Sequence, residues 1–283
     1  MLRNVKTYAR PESIEDAVTL VQSTPNAVYL GGGAWTVAHG NADIEAVVDL
    51  QALGLDTVKG GLEGLLIGSM VRLQQLIDHA DVGTIADGIL AKAARFTQSR
   101  TLREQGTLGG TLMIGDNADP LTTALLALDA GLSYADPVLH TAPFTSFVAY
   151  RDRLIKTRVL ITELQVKRPP ASSASAFEVV GRSPSDKPII CAAATINVDE
   201  GLPEALYISV GGADTRPVRL YKTEHILRGQ LLNADRVAVA LAPALQELHP
   251  VGDYRGSAEY RLEMTKILVC RAVLAAWDKA RRR

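Results

Sequence analysis

Two runs of glycine constrain this chain more than any other feature: Tyr29-Leu30-Gly31-Gly32-Gly33-Ala34-Trp35-Thr36 and Gly106-Thr107-Leu108-Gly109-Gly110-Thr111. Each lets the backbone turn where a side chain would collide with something brought close. Consecutive glycines also free their N–H groups to point into one concavity, and such a nest binds an anion without any basic side chain. Either run alone reads as a tight strand-to-helix turn. The pair, each beside an apolar stretch, points to a phosphate-rich ligand.

The remaining composition narrows the field by exclusion. With 283 residues, 47% hydrophobic and 22% charged, the chain is long enough for two domains with ample core. A formal net charge of −1 argues against a nucleic-acid or membrane partner held by bulk charge. Basic residues gather only in Lys279-Ala280-Arg281-Arg282-Arg283, which reads as a solvated helix end. Cys191 and Cys270 are the only cysteines and neither has metal-ligand spacing, so the chain is expected to carry no iron–sulfur cluster of its own. Both lie in apolar runs and read as buried, reduced thiols. The opening Met1-Leu2-Arg3-Asn4-Val5-Lys6 has no apolar leader pattern, and no run of eighteen apolar residues occurs. The expected location is the cytoplasm.

Along the chain, Ser13 is placed to cap a helix that ends near Ser23, followed by a short strand at 27–30 and another at 46–50. This is strand, glycine loop, helix, strand. Residues 56–68 predict two strands around a glycine-rich turn, 72–79 and 85–96 predict helices, and 119–128 predicts an apolar helix behind the second glycine run. Prolines and small polar residues at 167–175 read as a linker or long turn. Beyond it come strands at 176–180, 189–198 and 205–211 and helices at 237–248 and 258–279, which fit a three-stranded antiparallel sheet with helices on it.

The first run lacks the sixth-position glycine of the dinucleotide fingerprint, and the chain has no triphosphate-binding GxxxxGK[ST], no GxSxG elbow and no HExxH pair. His39, His79, His140, His225 and His249 are scattered, with no partner pattern that would make any of them a base. Trp35 reads equally as a cover for a ligand or as packing for its loop.

At this point a resemblance enters. The order Tyr29-Leu30-Gly31-Gly32-Gly33, Val47-Val48-Asp49-Leu50, Leu66-Ile67-Gly68, Arg103-Glu104-Gln105-Gly106-Thr107-Leu108-Gly109-Gly110 and Leu125-Leu126-Ala127-Leu128-Asp129-Ala130 resembles the FAD-binding (medium) subunit of the molybdenum hydroxylases, of the carbon monoxide dehydrogenase and xanthine dehydrogenase type. Gly256-Ser257-Ala258-Glu259-Tyr260-Arg261 before an apolar helix is similar to that family's closing motif. The resemblance spans essentially the whole chain. It implies an α+β protein: a two-part FAD-binding domain over 1–170, with a small α/β part at about 1–55 and a mixed or antiparallel sheet part at 56–170, then a C-terminal α+β domain over 171–283.

The resemblance further implies that FAD lies against Ala27, Val28, Tyr29, Leu30, Gly31, Gly32, Gly33, Ala34 and Trp35 and against Thr107, Leu108, Gly109, Gly110 and Thr111, with the Thr107 hydroxyl also reaching phosphate. It adds Ile114, Asp116 and Asp119, and, from the strand around Leu160-Ile161-Thr162 and the segment Gly181-Arg182-Ser183-Pro184-Ser185-Asp186, Ile161 and Asp186. The chain departs from the family at Gly33, where His, Thr or Asn is usual, at Ala34, where Ser, Asp or Glu is usual, and at Thr111, Ile114 and the placing of Asp119. The implied function is electron transfer: a large molybdenum-cofactor subunit oxidises substrate, a small subunit passes electrons through [2Fe-2S] clusters, and this chain's flavin delivers them to an acceptor. The implied assembly is a dimer of heterotrimers, and no residue here acts on the substrate. Two rival readings are an FAD-free scaffold subunit of such a complex and a self-sufficient flavoprotein.

Overall fold

The computed structural model describes residues 2–40, 42–183 and 186–283; Met1, and Pro184 and Ser185 of the segment before Asp186, lie outside the described residues. The chain divides into two compact units, each assembled from three stretches.

The first unit comprises Met1–Leu76, Arg100–Ile114 and Gly131–Val166. Its small α/β part is a parallel sheet of β1 (Thr7–Ala9), β2 (Ala27–Leu30) and β3 (Ala46–Asp49), in the order β1-β3-β2. The helix Ile14–Ser23 begins where the sequence placed it, because the Ser13 hydroxyl accepts from the Asp16 N–H at 3.0 Å. Ala17, Val18 and Val21 recur at helical spacing, and they pack with Ala27, Ala46 and Val48 of the strands. Burial of each valine contributes about 1.5–3 kcal/mol. The C-terminal end of the helix is closed from outside itself: the Arg158 guanidinium donates to the carbonyls of Val21 and Thr24.

The second part of this unit is a five-stranded sheet. Its strands are β4 (Val58–Gly60), β5 (Gly64–Gly68), β6 (Gly131–Asp136), β7 (Val138–Pro143) and β8 (Leu160–Lys167), in the order β4-β5-β8-β6-β7. The pairs β4–β5, β6–β7 and β6–β8 are antiparallel. The β6–β7 hairpin and the helix Phe144–Lys156 that follows it carry no strong sequence signal.

The second unit comprises Ile77–Ser99, Gly115–Ala130 and Lys167–Arg283. Its antiparallel sheet contains β9 (Ser173–Val180), β10 (Ile190–Asp199), β11 (Leu202–Gly211) and β12 (Val218–Arg219), in the order β12-β11-β10-β9. The three strands expected from the sequence are therefore joined by a fourth of two residues, too short for any pattern to register. Glu200 and Gly201 form the tip between β10 and β11, both with positive φ (46° and 77°), the geometry that a two-residue hairpin needs. Alternate residues of β10 and β11, such as Ala192, Ala194, Ile196, Ile208 and Val210, share a core with Val237, Leu241, Val269, Val273 and Trp277 of the helices Ala234–Leu245 and Ala258–Ala280.

Two boundaries differ from the sequence reading for physical reasons. The expected helix at 85–96 breaks at Ala86 and Asp87, whose φ values of 47° and 56° interrupt it before Ile89–Arg95. Asp87 uses that turn to aim its carboxylate at the β9 edge, accepting from the Ser175 N–H at 2.7 Å. The expected linker shortens to 168–172, since β8 runs to Lys167 and β9 starts at Ser173. Cys191 is buried as expected, whereas Cys270 is only half-buried.

Candidate functional site

Within the first unit the two glycine runs meet. Ala27 is buried and Val28, Tyr29 and Leu30 are half-buried in β2, whose last carbonyl, on Leu30, accepts from the Leu50 N–H at 3.1 Å. The chain then leaves the sheet through Gly31-Gly32-Gly33. A Cβ on Gly32 would lie 1.4 Å from the carbonyl oxygen of Gln105, and one on Gly31 would lie 2.9 Å from Thr107 Oγ1. Gly33 has φ +77°, the left-handed region that favours glycine. Both loops thus approach at distances that only backbone tolerates.

The electrostatics follow from where the N–H groups go. Among the described residues, Gly31, Gly32, Gly33 and Ala34 donate no backbone hydrogen bond to the protein. A row of unspent donors is what an anion-binding nest requires. The second run behaves differently. Leu108 N–H donates to Val71 O at 2.9 Å, Gly109 N–H to Ser69 O at 2.8 Å and Gly110 N–H to Thr107 Oγ1 at 3.2 Å. With Leu73 N–H on Gly106 O at 3.0 Å, these bonds fix the run against residues 69–73 and leave, among the described residues, the Thr107 N–H and hydroxyl proton as its free polar groups. Thr111 turns its hydroxyl back onto Thr107 O at 2.9 Å, and is buried.

The other expected contacts are scattered in kind. Ile114, at the end of the helix Leu108–Ile114, is exposed. Ile161 is buried in β8 opposite Tyr134, so its side chain is spent on packing. Tyr29 donates its phenol to Arg158 O at 3.0 Å, and burial, reinforced by the Asp136 carboxylate, raises its pKa well above the ordinary tyrosine value. Trp35 stands at the start of the one-turn helix Thr36–His39 and stacks on His39, a pair that the i, i+4 spacing already held.

Asp116, Asp119 and Asp186 belong to the second unit. Asp119 is buried and caps the helix Pro120–Ala127, accepting from the N–H groups of Leu121 and Thr122 at 3.2 Å each and from the Thr122 hydroxyl. Burial raises its pKa against the opposing effect of those hydrogen bonds. The cap engages both of its oxygens. Asp116 accepts from Ala118 N–H at 3.3 Å and pairs with Lys187 at 3.4 Å. Asp186 is exposed, and its N–H donates to Ser183 O at 3.2 Å. Four supporting positions, Ser69, Met70, Arg72 and Gln105, had no signal in the sequence, because their roles are carried mainly by backbone atoms.

The closing motif has a structural task in the same unit. The Arg261 guanidinium is buried, donates to Ile189 O at 2.7 Å and Gly212 O at 3.3 Å, and pairs with Asp253 at 2.8 Å. Burial would push the Asp253 carboxyl up, but hydrogen bonds from Arg255 and Arg261 outweigh it and hold the group well below the usual carboxylate range. Among the described residues no group of His, Cys, Asp and Glu could hold a metal ion, and no helix is long and apolar enough to cross a membrane.

A row of free N–H groups on a backbone cradle, flanked by a threonine hydroxyl, fits the pyrophosphate of a dinucleotide. The comparisons agree with that class of protein. Residues 3–169 match the family described as "FAD binding domain in molybdopterin dehydrogenase", and residues 175–276 match "CO dehydrogenase flavoprotein C-terminal domain". The chain is 28% identical to the 6-hydroxypseudooxynicotine dehydrogenase complex subunit alpha of Paenarthrobacter nicotinovorans, across 97% of this chain and 95% of that one. It is also 28% identical to the carbon monoxide dehydrogenase medium chain of Afipia carboxidovorans, across 97% of each. A solved structure of the Cu,Mo-CO dehydrogenase, in its cyanide-inactivated form, superposes with a TM-score of 0.88 at 25% identity, covering 98% of this chain and 99% of that one. The chain belongs to the FAD-binding subunit family of the molybdenum hydroxylases, its cofactor is FAD, and it is an oxidoreductase subunit.

Proposed function

We propose that this chain is the electron-transfer flavoprotein of a molybdenum hydroxylase complex, receiving electrons from [2Fe-2S] clusters on a small subunit and passing them to an external acceptor. FAD supplies the redox chemistry when bound, since it takes and gives electrons singly or in pairs. The observation that carries the reading is the row of unspent N–H groups at Gly31–Ala34 beside the Thr107 hydroxyl. The protein's own work is to bind and orient. Gly31 to Ala34 hold the pyrophosphate, Thr107 donates to it, and the second glycine run buttresses the first. Substrate chemistry belongs to a large molybdenum-cofactor subunit, and the assembly we infer is a dimer of heterotrimers in the cytoplasm. Relatives that are medium chains or subunits of complexes support this arrangement. The division between the FAD-binding and C-terminal domains is placed at 170/171.

An absorption spectrum of the purified chain, with acid release of the chromophore, tests the cofactor step. Close to one FAD per chain is expected. A colourless chain that takes up no added FAD overturns it in favour of a scaffold subunit, a reading that the side-chain-poor Gly33 and Ala34 would then explain. Co-purification from the native source tests the partners; molybdenum and iron in the same particle are expected.

A further inference from the structure

The side chain of Trp35 is left without a task by the backbone cradle. It follows directly on the four N–H groups of Gly31–Ala34, yet it remains 45% exposed, and Val37 on the same short helix is 49% exposed. One face of the indole is covered: the His39 ring stacks on it with centroids 3.8 Å apart and planes 16° apart, and His39 Nδ1 lies 3.3 Å from Trp35 O. An indole gains more from leaving water than almost any side chain, so a half-exposed one braced on one face offers the other as a binding surface. Its distance from the anion nest is bounded by the chain, since consecutive Cα atoms are about 3.8 Å apart and Trp35 follows directly on Ala34.

We propose that Trp35, braced by His39, stacks on an aromatic ring of the dinucleotide held by the first glycine loop. The proposal rests on the FAD reading above and deepens it. Stacking needs no hydrogen-bond match, because every such ring has a π-face. It also offsets what the loop lacks at Gly33 and Ala34, which offer no polar side chain to the ligand. His39 is a positioning residue: it fixes the indole without touching the ligand.

The full-length chain, stripped of cofactor, is titrated with FAD and followed by flavin fluorescence. Trp35→Leu is expected to raise the Kd about tenfold, a modest loss for a stacked base, and Trp35→Phe to stay within about threefold of the original. Independently, acrylamide quenching reads the indole itself, because the other tryptophan, Trp277, is buried. Acrylamide should reach Trp35 in the free chain and be blocked in the FAD complex, which keeps the idea testable even if Trp35→Leu fails to fold. Equal FAD affinity in Trp35→Leu, or unchanged acrylamide access on binding, overturns the stacking. A parent chain that binds no FAD overturns the underlying reading instead.

Discussion

A Cβ atom on Gly32 would stand 1.4 Å from the carbonyl oxygen of Gln105, a separation no side chain can occupy. Backbone faces backbone here, so the contact cannot be relieved by a rotamer change. Gly32→Ala is expected to destabilise the chain by about 2–3 kcal/mol, at the upper end of overpacking costs, and to lower FAD content, both read by thermal unfolding and by flavin stoichiometry. Gly83→Ala is the contrast. It sits in the helix Ala80–Thr84 with open space at its Cβ, so the same change there should add up to about 1 kcal/mol.

Thr107 separates a hydroxyl effect from a shape effect. Its Oγ1 accepts from Gly110 N–H and lies against both glycine runs. Thr107→Val keeps the shape and removes the acceptor, with an expected stability loss of about 1 kcal/mol and weaker FAD binding in a fluorescence titration. Thr107→Ser should restore both. A valine variant that binds FAD as the original does would remove Thr107 from the site.

Arg261→Met leaves the Ile189 and Gly212 carbonyls without their side-chain donor and Asp253 with Arg255 as its remaining guanidinium partner. The expected cost is about 1–3 kcal/mol, the penalty for leaving buried acceptors unsatisfied, measured by denaturant unfolding. Chain segments at 188–189, 212 and 253–256 should become labile together in hydrogen exchange, since Arg255 and Arg261 tie them.

The same pair sets a pH dependence. Asp253 is held below its unfolded value, near pH 3.9, so its contribution is present above that pH and lost as pH falls through the folded-state value. Asp253→Asn should be less stable than the original at pH 7, and the gap should begin to narrow only below about pH 4. Equal melting-temperature profiles from pH 3 to 7 would contradict this.

Burial, opposed by the Thr123 hydrogen bond, pushes the Cys191 thiol up to about 12. In the native chain at pH 8 it should resist alkylation, and labelling should require denaturant. Mass spectrometry of the labelled peptides distinguishes it from the half-buried Cys270.

Local signals were legible where one segment decides its own structure. Ser13 as a cap, the strand Ala27–Leu30 stopped by glycine, the hairpin of β4 and β5, and the helix Ala258–Ala280 are all read from neighbours in sequence. What escaped depends on distant backbone. No pattern in residues 106–110 says that their N–H groups will be spent on Val71 and Ser69, and nothing near Ala86 announces a break whose partner is Ser175. Asp119 illustrates the same limit: the resemblance offers it as a cofactor contact, and only the structure shows that it also caps the helix behind it, with Pro120 at the first turn.

The interleaving of the two units imposes an order of events on synthesis. The first unit lacks β8 until Val166 has been made, and the second lacks its whole antiparallel sheet until β9 to β11 follow. The helix Pro120–Ala127, buried along its full length in the finished protein, must therefore wait for about eighty further residues before β10 and β11 exist to cover it. At ribosomal speeds of about 5–20 residues per second, that is several seconds during which an apolar helix stands uncovered on the nascent chain. The ligand cradle has a shorter wait, because both glycine runs that form it have emerged by Thr111. Truncated chains ending near residue 170 should accordingly be captured by chaperones through the 120–127 segment rather than through the glycine loops.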